Sequence, residues 1–344
     1  MMGRTSVLLF YLPTMKNLIL HPTKGLSETQ WQDLRKTFSH RGMTGGSDAG
    51  TLLGFNKWKS PISAFYQALG LSLIPFKMNM EMLMGKLQED DIANSWQYYD
   101  ESEDKFIDNV TNNIKPRRFK LIKAIIENPK YPTLFANIDG LITKHPVKKK
   151  KGILEIKKIN GVTIDSYIGG LPPQYIAQCQ HYMLVCELDY AELCMRVDGK
   201  LLKVELIEKD PYLQQAILDA SIQFQRRVFA AREALEKSGV DNLEDMYGVV
   251  AEFEPEADSS DDFNAFMSEK HKLRQEETTI QGNDTHMDWA KQFNRYHGLL
   301  KTVEDHKQLY MNRLKQAMGR EGASIMQLPE GKITWRRNFQ VKIK

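Results

Sequence analysis

Strands and helices alternate along this chain in a pattern that predicts an α/β fold, of the α+β type, with a helical extension at its C-terminal end. Three stretches carry the prediction. Residues 135–158 read F-A-N-I-D-G-L-I-T-K-H-P-V-K-K-K-K-G-I-L-E-I-K-K, two short apolar strands joined by a turn that bears proline and lysines. Tyr190 to Val197 and Leu201 to Ile207 flank Asp198-Gly199, a strong short hairpin signal. From Trp289 the apolar positions Phe293, Tyr296, Leu300, Val303, Tyr310, Leu314 and Ala317 keep close to a 3–4 spacing, which predicts one long amphipathic helix.

Taken in order, the elements begin with a helix capped by Ser27 that runs through Glu28, Trp31, Leu34 and Arg35, with Gln30 at the capping-box position. Residues 42–54 then read G-M-T-G-G-S-D-A-G-T-L-L-G. Ser47 or Asp48 is expected to cap the next helix, and the glycines before it let backbone N–H groups turn outward as a seat for phosphate. A tight turn before a helix explains the same spacing. A helix follows from Ser60-Pro61 to Leu69, since proline suits the first helical position. The cluster Met78, Met80, Met82 and Met84 reads as core filling, and Glu89, Asp90 and Asp91 lie on a helix continuing through Ile92, Trp96 and Tyr99. Arg117-Arg118 suits either a nucleic-acid backbone or a solvated edge.

Strand signals return at Ala124 to Ile126 and at Leu134 to Ile142, and the lysines at 148–151 suit a solvated hairpin tip. Beyond Gly169-Gly170, Pro173 opens a helix with Ile176, Cys179, Met183 and Cys186 as its buried stripe. Gln178 and Tyr182, four apart on a different face, either point toward one ligand or close an internal amide–phenol network. Asp210-Pro211 starts a long helix that Gly239 stops. Residues 241–288 are acidic and turn-rich and read as a partly ordered connector; residues 289–344 carry the long helix and a two-stranded piece, Ser324 to Leu328 and Lys332 to Ile343, across P-E-G.

Composition bounds the function. At 344 residues the chain suits one large domain with an appendage or two domains, and its 42% hydrophobic and 26% charged content is that of an ordinary globular protein. A net charge of +3 neither demands nor excludes nucleic acid, so any such surface must be local. Cys179, Cys186 and Cys194 lack C-x-x-C spacing, which argues against a zinc ribbon, a disulfide framework and an iron–sulfur cluster, and points to a reducing, cytoplasmic setting. The apolar run Val7 to Leu12 is too short to span a bilayer, so residues 1–26 read as a leader, with residues 1–20 alternatively a small added strand, and no membrane is expected as a partner. The histidines show no H-E-x-x-H spacing, no G-x-S-x-G elbow occurs, and the glycines at 45–46 lack the lysine of a P-loop, so ATP is not implied.

One set of residues does carry chemistry. Strand side chains alternate faces, so Glu155 and Lys157 project together while Leu154 and Ile156 go to the other side. If the strand bearing Asp139 pairs with theirs, an acid, an acid and a lysine converge. Two carboxylates suit a hard divalent cation such as Mg²⁺, and a lysine can steer an attacking water. That is the chemistry of phosphodiester hydrolysis.

The order of motifs resembles the lambda-exonuclease-like, YqaJ-type viral recombinase nucleases of the PD-(D/E)xK superfamily. An isolated D…ExK pair is weak, but here it stands in an ordered set: Trp31 and Arg35 as W-x-x-x-R, G-G-S-D-A at 45–49, Gly85 and Glu89 as G-x-x-x-E, I-D-G-L-I at 138–142, L-E-I-K at 154–157, and Gln178 and Tyr182 as Q-x-x-x-Y. Ile138 stands where the superfamily's name has proline, a position that carries no catalytic atom. The resemblance covers about residues 27–210 and implies a nuclease core over 27–240, built as a central mixed β-sheet flanked by helices with the metal site at one edge. It implies Asp139, Glu155 and the Ile156 carbonyl as metal ligands, Glu89 reaching the metal directly or through water, Lys157 at the water or scissile phosphate, and Gln178 and Tyr182 lining the site. Arg35 and Ser47 match positions that hold a terminal 5′-phosphate in some members. The stretch between them is longer than in the shortest members, so Arg41 competes with Arg35 for that role.

The resemblance further implies Mg²⁺, with Mn²⁺ as the alternative, and digestion of linear double-stranded DNA 5′ to 3′ that leaves 3′ overhangs for a single-strand annealing protein. It implies a trimer-like homo-oligomeric ring around DNA and a phage or prophage origin. An endonuclease of the same superfamily and a non-catalytic DNA-end-binding scaffold are the competing expectations.

Overall fold

In the computed structural model, the structure describes residues 17–74, 78–161, 171–273, 279–320, 323–329, 331–335 and 339–343. The chain divides into two compact units, Met1–Gln275 and Glu276–Lys344. The apolar run at 7–12 and the Gly169-Gly170 pair lie outside the described residues.

In the first unit, strand β1 (Ile19–Pro22) precedes helix α1 (Glu28–His40), whose Ser27 and Gln30 form the expected capping box. Helix α2 (Gly46–Leu52) takes Gly45 as its N-cap in place of Ser47 or Asp48; Asp48 sits in the first turn and accepts from the Gly45 N–H at 3.0 Å. Helices α3 (Pro61–Leu69), α4 (Met80–Trp96) and α5 (Glu103–Thr111) lead to strands β2 (Arg118–Leu121), β3 (Ala124–Glu127), β4 (Phe135–Ala136), β5 (Gly140–Lys144) and β6 (Gly152–Ile159). Helix α6 (Pro173–Cys186) crosses to strand β7 (Tyr190–Val197), which returns as strand β8 (Leu201–Glu208), and helices α7 (Pro211–Ser238), α8 (Leu243–Val250) and α9 (Asp261–His271) complete the unit. Asp198 and Gly199 both have positive φ (49° and 70°), as a tight hairpin between right-twisted strands requires.

The central sheet runs β2-β5-β6-β7-β8. β6 and β7 are parallel, the other neighbours antiparallel, so the sheet is mixed and helices flank it. Period-2 alternation assigns β6 to two cores at once. Leu154 and Ile156 pack with Ile92, Ala93 and Trp96 of α4, whereas Ile153 and Ile159 pack on the side of Cys179 and Met183 of α6. Glu155 and Lys157 lie between Ile153 and Ile159 on the α6 side.

The run 134–142, read as one strand, breaks at Asn137–Asp139. β4 pairs with β3 in a small sheet of order β1-β3-β4, while β5 joins the central one. This break brings Asp139 to the end of β5.

Several expectations are corrected. Residues 241–288, expected as a partly ordered acidic connector, contribute α8 and α9 to a helical core with α3 and α7, in which Tyr66 stacks on Tyr247 and Phe266 at 4.7 and 4.6 Å. Their acids are used as anchors. Asp262 accepts from the Ser60 N–H at 2.7 Å, Asp258 from the Ser60 hydroxyl at 2.5 Å, and Glu254 from Tyr66 and Lys270. A carboxylate at the N-terminus of α3 satisfies donors that the helix itself leaves open, which is why this acidic stretch folds. Met80 and Met82, expected as core filling, are exposed on the first turn of α4.

Arg117, expected at a nucleic-acid backbone or a solvated edge, is buried. It pairs with the buried Glu192, whose carboxylate also accepts from Trp96 Nε1 at 2.8 Å and lies 2.9 Å from His145 Nε2. The expected hairpin tip does form between β5 and β6, where Lys150 meets Asp189 at 2.7 Å.

The second unit contains helix α10 (Asp284–Arg320) and an antiparallel sheet of order β11-β10-β9, from strands β9 (Ile325–Leu328), β10 (Gly331–Trp335) and β11 (Phe339–Ile343). A third strand thus joins the two expected ones. No described helix is long and apolar enough to cross a membrane.

Removing one partner of a buried ion pair strands the other without solvation. Glu192→Ala is therefore expected to lower unfolding stability by about 3–5 kcal/mol in urea titrations, whereas a surface change such as Lys130→Ala stays within about 0.5 kcal/mol. Equal midpoints for the two variants would contradict the Arg117–Glu192 anchor.

Candidate active site

A cavity of about 170 Å³ opens where α1, α2, α4, β3, β4, β6 and α6 meet; Glu89, Asp139, Glu155, Lys157, Gln178 and Tyr182 line one part, and Trp31, Arg35, Gly45, Gly46 and Ser47 another. Each comes from a different local cause. The break before β5 delivers Asp139, alternation along β6 delivers Glu155 and Lys157, and the i,i+4 spacing on α6 delivers Gln178 and Tyr182. Glu89 lies on the same face of α4 that buries Ile92, Ala93 and Trp96, three, four and seven residues further on, and is itself half-buried.

Hydrogen bonds knit the acidic part. Asp139 Oδ2 accepts from the Ile156 N–H at 2.8 Å. Glu155 Oε1 accepts from Gln178 Nε2 at 2.7 Å and from the Lys157 ammonium, and Gln178 also donates to the Tyr182 hydroxyl at 3.0 Å. The amide–phenol network and the ligand-facing position thus coexist. Glu155 Oε2 is buried without a hydrogen-bond partner.

Three carboxylates in one place repel, and burial penalises their charge. Burial first, then Asp139, raises the Glu89 pKa to about 7. The same two causes push Glu155 up. Asp139 is raised by burial, against the pull of Lys157 and the Ile156 N–H. Burial opposes the Lys157 ammonium, yet Glu155 and Asp139 together raise its pKa, so it stays protonated. Lys123, just before β3, acts electrostatically on both Glu89 and Asp139.

These groups fit a hard divalent cation by donor chemistry: carboxylate oxygens, one of them buried and unpaired, in a site with excess acid. No three His, Cys, Asp or Glu side chains among the described residues already converge as a closed metal cluster. The Ile156 N–H is engaged by Asp139, and the present hydrogen bonds of Glu155 hold one of its oxygens on Lys157 and Gln178.

The second part of the cavity is cationic. Arg35 Nη2 donates to Ser47 Oγ at 2.8 Å, and its guanidinium lies 5.6 Å from the Trp31 ring centroid, with Lys86 Nζ at 5.9 Å from the same ring. Asp48 is buried, which alone would raise its pKa; Lys59, 2.9 Å away, and Arg35 hold it well below the usual carboxylate range. Arg41 lies elsewhere. Its guanidinium binds both oxygens of Glu127, at 3.2 and 2.9 Å.

The glycines of G-G-S-D-A serve a packing need. A Cβ at Gly46 would stand 2.3 Å from the Tyr182 ring, and one at Gly50 would stand 2.7 Å from Gln174 Cβ. Only glycine lets α2 approach α6 this closely, and the approach joins the cationic and acidic parts of the cavity.

Sequence reasoning left Trp31 without a role and missed Asn137, Lys59 and Lys123. Asn137 precedes Asp139 by two in an extended stretch, and Trp31 precedes Arg35 by one helical turn, so spacing was the signal for both. Lys59 and Lys123 carried none.

Residues 30–189 match the YqaJ-like viral recombinase domain. The resemblance read from the motifs is borne out over that stretch. Uncharacterized protein YqaJ of Bacillus subtilis (strain 168) is 28% identical over 209 residues, which are 60% of this chain; the match spans 58% of that protein's length. An alkaline exonuclease (LHK-Exo) from Laribacter hongkongensis is 19% identical, with 60% of this chain and 97% of that one covered at a TM-score of 0.44. A phage related exonuclease from Haemophilus somnus 129PT is 14% identical, with 55% and 95% covered at a TM-score of 0.36. The YqaJ-like stretch contains every residue of the cavity lining.

The raised pKa of Glu89 has a measurable consequence. Its folded value of about 7 exceeds the ordinary 4.5, so the folded state holds an extra proton between them. The stability this contributes is complete below the unfolded pKa and is lost as pH rises through the folded one. In chelator, urea midpoints of the wild type are expected to fall across this window, and Glu89→Gln to flatten the fall. An equal slope in both proteins would contradict the assignment.

Proposed function

We propose that this chain is a metal-dependent deoxyribonuclease that digests linear duplex DNA from a 5′ end and leaves a 3′ overhang. One observation carries the reading: Glu89, Asp139, Glu155 and Lys157 share a cavity with Arg35 and Ser47. Phosphodiester hydrolysis needs a site that tolerates an incoming polyanion yet activates water, and an acidic cluster beside a cationic wall meets both needs.

Arg35 and the Ser47 hydroxyl, already hydrogen-bonded to each other, offer donors to a terminal 5′-phosphate, and the adjoining N-terminus of α2 favours negative charge. Asp48 is saturated by Lys59 and the Gly45 N–H, so it does not compete for Arg35 by direct contact. Trp31 presents a ring for an unstacked base. At the other end, Lys157 holds a permanent positive charge toward the scissile phosphate, and Glu155 fixes its ammonium. Gln178 holds the Glu155 carboxylate in place and is itself held by Tyr182. Asp139, Glu155, Glu89 and the Ile156 carbonyl would hold Mg²⁺, or Mn²⁺ in its place. That ion supplies Lewis-acid stabilisation of the phosphate and a lowered pKa of bound water. The pairing of Arg41 with Glu127 favours Arg35 as the phosphate ligand. The same reading takes a single-strand annealing protein as receiver of the overhang and a ring of copies around the duplex.

Glu155→Gln is expected to lower cleavage of linear duplex by at least about 10³-fold while DNA is still retained in gel shifts; cleavage near the wild-type rate would refute the assignment. Arg35→Ala is expected to erase the preference for a 5′-phosphate over a 5′-hydroxyl end, and Arg41→Ala to keep it. Linear and covalently closed circular duplexes, each with Mg²⁺ and with chelator, separate the readings. Loss of linear DNA alone supports end-dependent digestion, cutting of circles shows an endonuclease with the same site, and binding without any cutting shows a scaffold.

A further inference from the structure

The apolar pattern on α10 is a strict heptad. Positions 289, 293, 296, 300, 303, 307, 310, 314 and 317 alternate steps of four and three, so Phe293, Leu300, Lys307 and Leu314 occupy a positions and Trp289, Tyr296, Val303, Tyr310 and Ala317 occupy d positions. A strict seven-residue repeat holds its stripe straight only when the helix supercoils around a partner. From Trp289 to Tyr310 the apolar positions of the stripe are uncovered, with Phe293 70% exposed, Tyr296 65%, Val303 62% and Tyr310 59%, while Leu314 is half-buried.

We propose that this stripe is the seam of an antiparallel coiled coil with α10 of a second copy of the chain. Size and charge both select that occupant. With Val303 set opposite Lys307 of the other copy, Phe293 faces Ala317, Tyr296 faces Leu314 and Leu300 faces Tyr310, so each aromatic between 293 and 317 meets a smaller or aliphatic side chain. Parallel pairing would set every aromatic on itself and Lys307 on Lys307.

The charges agree. Residues 306–320 carry Lys307, Arg313, Lys315 and Arg320 and no acid, whereas residues 284–305 balance Asp284, Asp288, Glu304 and Asp305 against Lys291, Arg295 and Lys301. Antiparallel pairing brings Lys307 beside Glu304 and Arg320 beside Asp288, twice by symmetry; parallel pairing opposes the two basic halves. The helix macrodipoles also align favourably. The eight seam positions from 293 to 317 offer about 700 Å² per chain, near the ~800 Å² per partner of a stable interface. Such pairing doubles whatever assembly the first unit makes, and it is independent of the nuclease reading.

Sedimentation velocity on the full chain at micromolar concentration tests the seam. The wild type is expected to sediment at twice the mass of the Leu300→Asp, Val303→Asp double variant, with the first unit's melting transition unchanged. Equal masses would overturn the proposal. Lys307→Glu alone should also halve the mass, and Glu304→Lys combined with Lys307→Glu should restore it, which a merely unfolded helix would not do. For orientation, Val303→Cys mixed with Lys307→Cys is expected to form the disulfide-linked pair under mild oxidation. Cross-linking by each variant alone, without the mixed product, would show a parallel pair and refute the antiparallel seam.

Discussion

A carboxylate on the central parallel strand pair, away from water, imposes its needs on everything near it. Glu155 lies on β6 and is almost fully buried, so its charge must be met from within the protein. Lys157 meets it from the same strand face, Gln178 from α6, and its second oxygen has no partner. Asp139 draws the Ile156 N–H across, and Glu89 adds a third acid whose proton is held by burial first and then by the charge of Asp139. This concentration of unfavourable charge is a standing cost to the fold. In the proposed nuclease a cation and a polyanionic substrate would offset that cost.

The cost is tolerated because the surrounding packing leaves the acids no escape. α4 covers one face of the sheet through Ile92, Ala93 and Trp96, and α6 covers the other through Cys179 and Met183. Gly46 and Gly50 let α2 press against α6, and with α2 come Ser47 and Arg35. Far from the cavity, the helical lobe repeats the principle in milder form. Glu254, Asp258 and Asp262 stop being a repelling acidic run once Tyr66, Lys270 and the start of α3 supply donors. The Arg117–Glu192 pair does so beneath the sheet edge, where an exposed basic patch was the natural expectation.

Local pattern was legible in the chain to a large extent. The capping box of α1, proline at the starts of α3, α6 and α7, the Asp198-Gly199 turn and the face alternation of β6 follow from steric and hydrogen-bonding rules that act within a few residues. The ordered motifs identified the YqaJ-like stretch for the same reason, since each motif is short. The break between β4 and β5 was not legible, because both halves are apolar and only their different pairing partners separate them. Nor was the folding of α8 and α9, beside which Asp258 and Asp262 are satisfied by Ser60, about two hundred residues away.

By itself, then, the sequence determined where helices with a cap or an opening proline begin, which face of β6 carries the acid and the lysine, and that α10 bears a seven-residue stripe. Tertiary structure decided the rest. It chose Arg35 over Arg41 as a lining residue by giving Arg41 a carboxylate of its own, set Gln178 between Glu155 and Tyr182, and turned the glycines at 46 and 50 from a loop signal into a packing requirement. The division has one physical cause. Backbone geometry and periodicity are local, whereas burial, charge pairing and close approach depend on which distant segments arrive, and no spacing rule encodes that.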